Sequence, residues 1–326
     1  MKFDDFKKHF RFSEQDKIFD NAKFWIDKLK DLDQTILSQE EIKALNKDIV
    51  EQHKKNPELN FYKLYDKQSF NKKELEFIYL DPNAFSNNNE MVKDAKKLYD
   101  ALPTSLSVTH AIAKEDSLVH FLPFEKYFNI PHSIIYKGDE ILVLNVDKYA
   151  FVCTSICFGW IDKQSYKVTK FSQSSVKFKE LTQKAILNEA FEHLDEPYKL
   201  AELGGTDCVS SLYNIFKIFG IYIPKTTYLI QQNMRANKPS NFEDIPVGSI
   251  LLLPGHAMLY IGEENNKHYV FNNIIGLYLE DRSKVDIKKA CVICLEDSYL
   301  KNGTNYLNAI NYVVDWKNYG LSKTSI

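Results

Sequence analysis

The sequence predicts an α+β protein built from three consecutive parts. Residues 1–102 show helical periodicity and contain many charged residues. Residues 103–165 change to short runs rich in β-branched and aromatic residues, which favour strands. Residues 166–326 begin with helical patterns and end with a series of strand-like runs joined by short connections, which is typical of an antiparallel sheet. We therefore expect a helical N-terminal region, a small β-rich domain and an α+β domain.

Composition excludes several classes of function. The 326 residues include 44% hydrophobic and 13% aromatic residues, enough for sizeable cores. The chain has 42 Lys and Arg against 44 Asp and Glu, a net charge of −2, so no global field attracts nucleic acid or anionic lipid. No apolar run approaches the roughly 20 residues that span a bilayer. We expect neither a nucleic-acid partner nor a transmembrane segment.

The N-terminus and the cysteines bear on the compartment. The stretch "MKFDDFKKHFRF" has no apolar region and no small-residue cleavage site, so it does not resemble a secretory signal. This pattern favours a cytoplasmic protein or a chain given without its leader.

An odd number of cysteines argues against a disulfide framework; the five are Cys153, Cys157, Cys208, Cys291 and Cys294. The last two stand in "ACVIC", where we expect buried strand cysteines rather than a redox pair.

Two helices are predicted in the N-terminal part. In "DNAKFWIDKLKDL" the apolar residues form one stripe, which consists of Phe24, Trp25, Leu29 and Leu32. In "SQEEIKALNKDIVEQH" Ser38 precedes Glu41 by three positions, the spacing of a capping box. Both segments are expected to be helical with solvated charged faces.

The middle part indicates a small barrel. Its runs "SLSVTHAIA", "SIIYKGDEILVLNVD" and "YAFVCTSICFGWID" alternate with turn residues. The last two resemble a bacterial SH3-like domain, whose final strands often end in a Gly-Trp step. The Cys153 and Cys157 pair lacks histidine partners, so a zinc site is not expected.

The stretch "GGTDCVSSLYNIFKIFG" places a cysteine where an amphipathic helix begins. Thr206 and Asp207 offer N-capping side chains, and Gly220 is a natural terminator. Cys208 then lies in the first turn, beside unpaired N–H groups and the positive end of the helix dipole. We expect these to lower the thiol pKa below its free value of about 8.5 and to favour a nucleophilic thiolate.

A nucleophile also needs a base and a group that orients the base. His256, in "LLLPGHAMLYIG", is the histidine that begins an apolar strand directly after Pro-Gly. If the chain turns around residues 263–266, position 272 comes opposite about 256 or 257, so Asn272 is the candidate orienting residue. His268 is the alternative, although it lies nearer the turn.

These residues resemble the NlpC family of papain-like cell-wall cysteine peptidases. The similar stretches are "EPYKLAELGGTDCVSSLYNIFKIFGIYIPKTTYLIQQ" and "DIPVGSILLLPGHAMLYIG". The resemblance implies a papain-like catalytic domain, preceded by a helical segment and an SH3-like module. It implies Cys208 as nucleophile, His256 as general base and Asn272 as the orienting residue. It also implies that Asp207 helps to bind the substrate amine and that Tyr198 lies near the oxyanion region.

Members of this family hydrolyse murein stem peptides, commonly between γ-D-glutamate and the diamino acid, without a metal or other cofactor. The resemblance favours the cell envelope or periplasm, with the cytoplasm as the alternative. Val209 and Lys225 depart from the family pattern, which leaves open an inactive or acyl-transferring relative that binds peptide or murein fragments. Tyr127, in "LPFEKYFNI", is a candidate substrate contact, with a plain core aromatic as the alternative.

Overall fold

The computed structural model describes residues 18–54, 68–76, 88–129, 131–154, 157–168, 177–200, 202–224, 226–239, 241–316 and 319. Lys225 lies outside these residues. Seven α-helices are present in the described part of the chain: α1 (Ala22–Ile26), α2 (Gln39–Lys54), α3 (Asn89–Ala101), α4 (Gln183–Glu192), α5 (Cys208–Lys217), α6 (Thr227–Asn233) and α7 (Tyr306–Ala309).

Within the same residues there are sixteen β-strands. They are β1 (Thr35–Leu37), β2 (Ser69–Asn71), β3 (Ser105–Ser107), β4 (Thr109–Ala113), β5 (Ser117–His120), β6 (Pro131–Ile135), β7 (Glu140–Val146), β8 (Tyr149–Cys153), β9 (Phe158–Asp162), β10 (Tyr166–Val168), β11 (Leu181–Thr182), β12 (Ile250–Leu253), β13 (His256–Glu264), β14 (Lys267–Tyr278), β15 (Lys284–Cys294) and β16 (Tyr312–Val314).

The chain forms two compact units, one of which is discontinuous in sequence. The first unit comprises residues 1–49, 177–200 and 205–326, and the second comprises 50–176 and 201–204. This division differs from the three consecutive parts expected above, because the first 49 residues share a unit with the C-terminal half. The expected domain boundaries near residues 102 and 165 stay a prediction.

The second unit contains a seven-stranded antiparallel sheet in the order β10-β4-β7-β8-β9-β5-β6, and a separate pair, β2 and β3. Phe151 and Trp160 meet edge to face in its core, with ring centroids 5.2 Å apart. The β-rich character predicted for this segment is confirmed, and its SH3-like classification stays a prediction.

A five-stranded antiparallel sheet in the order β15-β14-β13-β12-β16 organises the first unit. Helix α5 packs against β13 and β14. The buried side of this helix includes Val209, Leu212 and Phe216, which follow the helical spacing seen in the sequence. The helix-then-strands pattern predicted for the C-terminal part is therefore confirmed.

The N-terminal residues join this unit through specific contacts. Trp25 is buried, and its ring lies 5.1 Å from that of Tyr269 on β14. On α2, Asn46 donates to the carbonyl of Gly220 (2.7 Å) and accepts from the backbone N–H of Tyr222 (3.1 Å). These bonds satisfy the backbone just beyond α5, where a helix end leaves carbonyls unpaired.

One N-terminal helix is as predicted and the other is shorter. The capping box at α2 is confirmed, because Ser38 N–H donates to Glu41 Oε2 (2.8 Å) and Glu41 N–H donates to Ser38 Oγ (3.3 Å). The prediction that this helix and its apolar stripe continue to Leu32 is wrong, because α1 ends at Ile26 and Asp27 is its C-cap. A five-residue helix is too short to be stable alone, so the packing of Trp25 holds it in place.

All five cysteines are free of disulfide bonds, and four of them are buried. Cys291 and Cys294 both lie on β15, which confirms the prediction of buried strand cysteines. Cys208 is the one that retains partial exposure. In the part of the chain that the structure describes, no helix is both long and apolar enough to cross a membrane.

Candidate active site

Cys208 is the first residue of α5. Asp207 is the N-cap, and its Oδ1 accepts a 2.7 Å hydrogen bond from the backbone N–H of Ser210. The predicted helix start is therefore confirmed, with Asp207 rather than Thr206 as the capping side chain. This position presents the thiol at the positive end of the helix.

The environment of the thiol contradicts the expected low pKa. Burial raises the pKa of Cys208 to about 11, and the negative charge of Asp207 adds to the shift. The backbone N–H groups of Ala257, Val209 and Cys208 favour the thiolate and oppose that shift. The expectation was wrong because desolvation of the thiolate outweighs the helix dipole and these donors.

Ala257, whose backbone N–H favours the thiolate of Cys208, directly follows His256, the first residue of β13. Burial lowers the pKa of His256 to about 4, while its bond to Asn272 and the charge of Asp207 oppose the shift. The two shifts together describe a resting pair of neutral thiol and neutral imidazole. Asp207 acts on both members of the pair, since its charge influences each of them.

Asn272 fixes the orientation of the imidazole. Its Oδ1 lies 3.1 Å from His256 Nε2, and its Nδ2 donates to the carbonyl of Cys291 (3.1 Å). Because the carbonyl of Cys291 can only accept, it sets which end of the amide faces His256. The amide oxygen then requires a proton on Nε2, so Nδ1 of His256 is left with a lone pair that can accept the thiol proton.

The register that brings these residues together differs from the expected one. Phe271 pairs with Leu259, which places Asn272 two positions along the strand from the point opposite His256. The turn contains Asn265 and Asn266, both with positive φ, between the paired residues at 264 and 267. Because side chains alternate along a strand, His256 and Asn272 still share a face and meet as diagonal neighbours.

The rival orienting residue occupies a different environment. His268 pairs in register with Glu263 near the turn, and its Nδ1 lies 2.6 Å from Glu296 Oε1. Phe242 packs on it edge to face, with ring centroids 4.6 Å apart. His268 therefore belongs to a side-chain cluster at the hairpin end, whereas Asn272 contacts His256 directly.

Tyr198 lies beside the segment that leads into α5. It forms an isolated parallel bridge with Thr206, and its N–H donates to the carbonyl of Lys288 (2.9 Å). Burial raises the pKa of Tyr198 to about 12, and the charges of Cys208 and Asp207 add to this shift. The phenol thus stays neutral and remains a hydrogen-bond donor close to the thiol.

Tyr127 has the position of a core aromatic. It is buried in the second unit with Met91, Ala95 and Leu122, and its hydroxyl donates to Asp94 Oδ2 (3.0 Å). Both its ring and its hydroxyl are therefore engaged by the unit's own residues. This environment favours the core alternative over the substrate contact suggested for Tyr127.

Two further residues near the site were not predicted from the sequence to contribute to it. The ring of Tyr306, on α7, is buried with its centroid 6.3 Å from that of His256. Thr206 is completely buried and bonds to side chains from three other segments. The described residues contain no group of three or more His, Cys, Asp or Glu side chains arranged to hold a metal ion.

Several solved structures resemble this chain to different extents. The chain matches an NlpC/P60 endopeptidase from Photobacterium damselae subsp. piscicida with a TM-score of 0.59 and 13% identity, over 91% of this chain and 97% of that one. An NlpC/P60 family protein from Bacillus cereus ATCC 10987 matches with a TM-score of 0.34 and 16% identity, over 64% and 63%. The peptidoglycan hydrolase RipB from Mycobacterium tuberculosis matches with a TM-score of 0.29 and 15% identity, over 41% and 64%.

The first of these matches shows that the chain has the fold of an NlpC/P60 endopeptidase. It confirms, at the level of the fold, the resemblance inferred from the motifs around Cys208 and His256. No family model matches the sequence, and no curated protein matches it.

Proposed function

We propose that this chain is a cysteine endopeptidase that hydrolyses amide bonds in the peptide stems of murein. The observation that supports this function best is the chain of contacts from the Cys208 sulfur to Ala257, and from His256 to Asn272. A thiol at a helix start, a neutral imidazole and an amide that orients it are the parts required for acyl transfer to sulfur.

The proposed reaction begins from the neutral pair. Nδ1 of His256 takes the proton from Cys208 as the sulfur attacks the substrate carbonyl carbon, and the tetrahedral intermediate forms. The intermediate collapses when the carbon–nitrogen bond breaks and the imidazolium gives its proton to the leaving amine. The remaining thioester is hydrolysed by a water molecule that His256 deprotonates, which releases the acid and restores the thiol.

In the proposed resting state Cys208 and His256 are both neutral. The negative charge derived from the thiol and the positive charge on the imidazolium therefore form only as the substrate is attacked. Backbone N–H groups at the start of α5 and the bond from Asn272 to the imidazole are in place before this happens. Such preorganised donors stabilise developing charge without reorganisation.

Asp207 and Tyr198 are the proposed substrate contacts. One carboxylate oxygen of Asp207 caps α5, and the second oxygen suits an ammonium group of the substrate. The neutral phenol of Tyr198 suits the developing oxyanion. By resemblance to the NlpC family, we propose the γ-D-glutamyl bond to the diamino acid as the one cleaved, and the cell envelope as the site of action.

The test is mass spectrometry of murein tripeptide and tetrapeptide fragments after incubation with wild type and Cys208→Ala. The proposal expects release of L-Ala-γ-D-Glu by the wild type and none by the variant. Cys208→Ala should keep the fold, since one partly exposed thiol contributes little packing, and circular dichroism checks this. Binding of the fragments without cleavage by the wild type would replace the enzyme with a binding protein.

Cleavage of a different bond by the wild type alone would keep Cys208 as nucleophile and correct the substrate assignment. If the wild type neither cleaves nor binds the fragments, murein peptides are rejected as the substrate class. Equal cleavage by both proteins would show that Cys208 is not the nucleophile.

A further inference from the structure

A buried polar cluster lies on the opposite side of β14 from the His256–Asn272 bond. Its centre is the hydroxyl of Thr206, two residues before Cys208, which is completely buried. A buried hydroxyl is costly unless its hydrogen bonds are made. The Thr206 hydroxyl donates to Glu196 Oε2 (3.0 Å), lies 2.7 Å from Ser211 Oγ and accepts from Asn273 Nδ2 (3.0 Å).

Each partner of Thr206 belongs to a different part of the first unit. Glu196 lies in the turn that follows α4, and its backbone carbonyl accepts from the N–H of Ala290 on β15 (2.8 Å). Ser211 lies on α5, and its single hydroxyl proton can be donated either to the Thr206 hydroxyl (2.7 Å) or to the carbonyl of Asp207 (2.8 Å). Asn273 lies on β14. The hydroxyl therefore ties the helix start to the sheet on which the imidazole and its amide partner stand.

Asn273 holds the backbone of Thr206 as well as its side chain. Its Nδ2 donates to the carbonyl oxygen of Thr206 (2.9 Å) in addition to the hydroxyl. Since neighbouring side chains on a strand point to opposite faces, Asn272 reaches His256 while Asn273 reaches Thr206. One dipeptide on β14 thus fixes the imidazole on one face and the residues before the nucleophile on the other.

We propose that Thr206 is a positioning residue that sets the distance between the Cys208 thiol and the His256 imidazole through Asn273 and Ser211. This inference rests on the proposed function, in which these two groups exchange a proton. The chain between Thr206 and Cys208 contains a single residue, so a shift of Thr206 relative to β14 is transmitted to the thiol. Misplacement of a reacting group by about 1 Å costs on the order of 100-fold in rate.

The test compares Thr206→Val, which keeps the shape and removes the hydroxyl, with Thr206→Ser, which keeps the hydroxyl. We expect kcat on the murein peptides to fall about 10- to 100-fold in Thr206→Val with KM within about twofold. We expect Thr206→Ser to retain most of the wild-type kcat. In parallel, the rate at which iodoacetamide labels Cys208 is measured across pH, and it should fall about tenfold in Thr206→Val, because a displaced sulfur loses the backbone donors that favour the thiolate.

Two further variants separate positioning from stability. Ser211→Ala breaks the link from Thr206 to α5 and should slow labelling in the same direction. Ser249→Ala is the matched control, because it removes a buried hydroxyl that has no hydrogen-bond partner and stands outside this cluster. Ser249→Ala should leave kcat and the labelling profile at their wild-type values.

Wild-type labelling profiles in both Thr206→Val and Ser211→Ala would overturn the proposal, even if either variant melts at a lower temperature. If Thr206→Val does not fold, the labelling profile of Ser211→Ala alone tests the proposal. If the wild type does not cleave murein peptides, the proposed function fails on its own account, and the labelling comparison still decides whether Thr206 positions the thiol.

Discussion

His256 and Asn272 are joined by a 3.1 Å hydrogen bond between Nε2 and Oδ1, and the same amide donates to the carbonyl of Cys291. These three residues stand on β13, β14 and β15. The orientation of the imidazole is therefore set by three adjacent strands of one sheet. A loop is not required to hold the base toward the thiol.

Asn272→Ala should lower kcat about 10- to 100-fold with little change in KM, because the imidazole loses the contact that fixes its tautomer and direction. Steady-state kinetics on a murein tripeptide measure this effect. The comparison variant is His268→Gln, which removes the alternative orienting residue at the hairpin end. That variant should keep its kcat. Loss of kcat in His268→Gln with full activity in Asn272→Ala would reverse the assignment.

The labelling of Cys208 should lack a plateau at neutral pH. Its pKa is raised by burial to about 11, so the thiolate fraction rises about tenfold for each pH unit below that value. Iodoacetamide labelling followed by mass spectrometry from about pH 6 to pH 9 should show this slope. A rate that is constant over that range would instead indicate a thiolate–imidazolium ion pair in the resting protein.

Acid should destabilise the fold partly through His256. Its pKa is lowered by burial from 6.5 to about 4, so the folded state binds a proton more weakly than the unfolded state does. The stabilisation is fully present above about pH 6.5 and is lost as pH falls toward 4, by at most about 3 kcal/mol.

Urea unfolding of wild type and His256→Gln near pH 7 and near pH 4.5 measures this contribution. The variant lacks the titrating group, so its free energy of unfolding should decrease less between the two pH values than that of the wild type. An equal decrease in both proteins would assign the acid sensitivity to other groups.

Gly205 should be the less replaceable of the two glycines before Thr206. A Cβ at Gly205 would lie 2.2 Å from the carbonyl oxygen of Pro197, the oxygen that accepts from the Thr206 N–H. Gly205→Ala should therefore destabilise the first unit by about 2 kcal/mol or more and lower activity with it. Thermal unfolding and peptide cleavage measure the two effects.

Gly204→Ala is the matched comparison. Gly204 has a φ of +81 with nothing within 4 Å of an added Cβ, so alanine meets backbone strain and no clash. The cost of such strain is about 1 kcal/mol. A larger loss of stability in Gly204→Ala than in Gly205→Ala would contradict the close approach to Pro197.

The sequence predicts the parts of the site that depend on local pattern. The start of α5 follows from the capping side chain of Asp207 and the apolar spacing after it. The common face of His256 and Asn272 follows from the alternation of side chains along strands, which is why the prediction survives a register that is two residues away from the expected one.

The other features of the site depend on which distant segments the fold brings together, and local sequence pattern does not determine this. The direction of the Cys208 pKa shift could not be predicted, because it depends on how closely other segments enclose the sulfur. Thr206 was expected as a capping residue, and its role as the centre of a buried cluster depends on residues 196, 211 and 273 meeting in space. A threonine before a helix gives the same local signal in both cases.

The discontinuous first unit has a consequence for synthesis of the chain on the ribosome. Strand β1 pairs with β11, and Thr35 bonds to a carboxylate 145 positions later. At about 5–20 residues per second, roughly 7–30 s pass before the partner of β1 has been made. During that interval the N-terminal segment lacks its partner, while residues 50–176 of the second unit are completed and can fold first. Expression of a shortened chain that starts after residue 49 would remove the wait and, with it, the indole of Trp25 and the amide of Asn46 from the unit that holds Cys208.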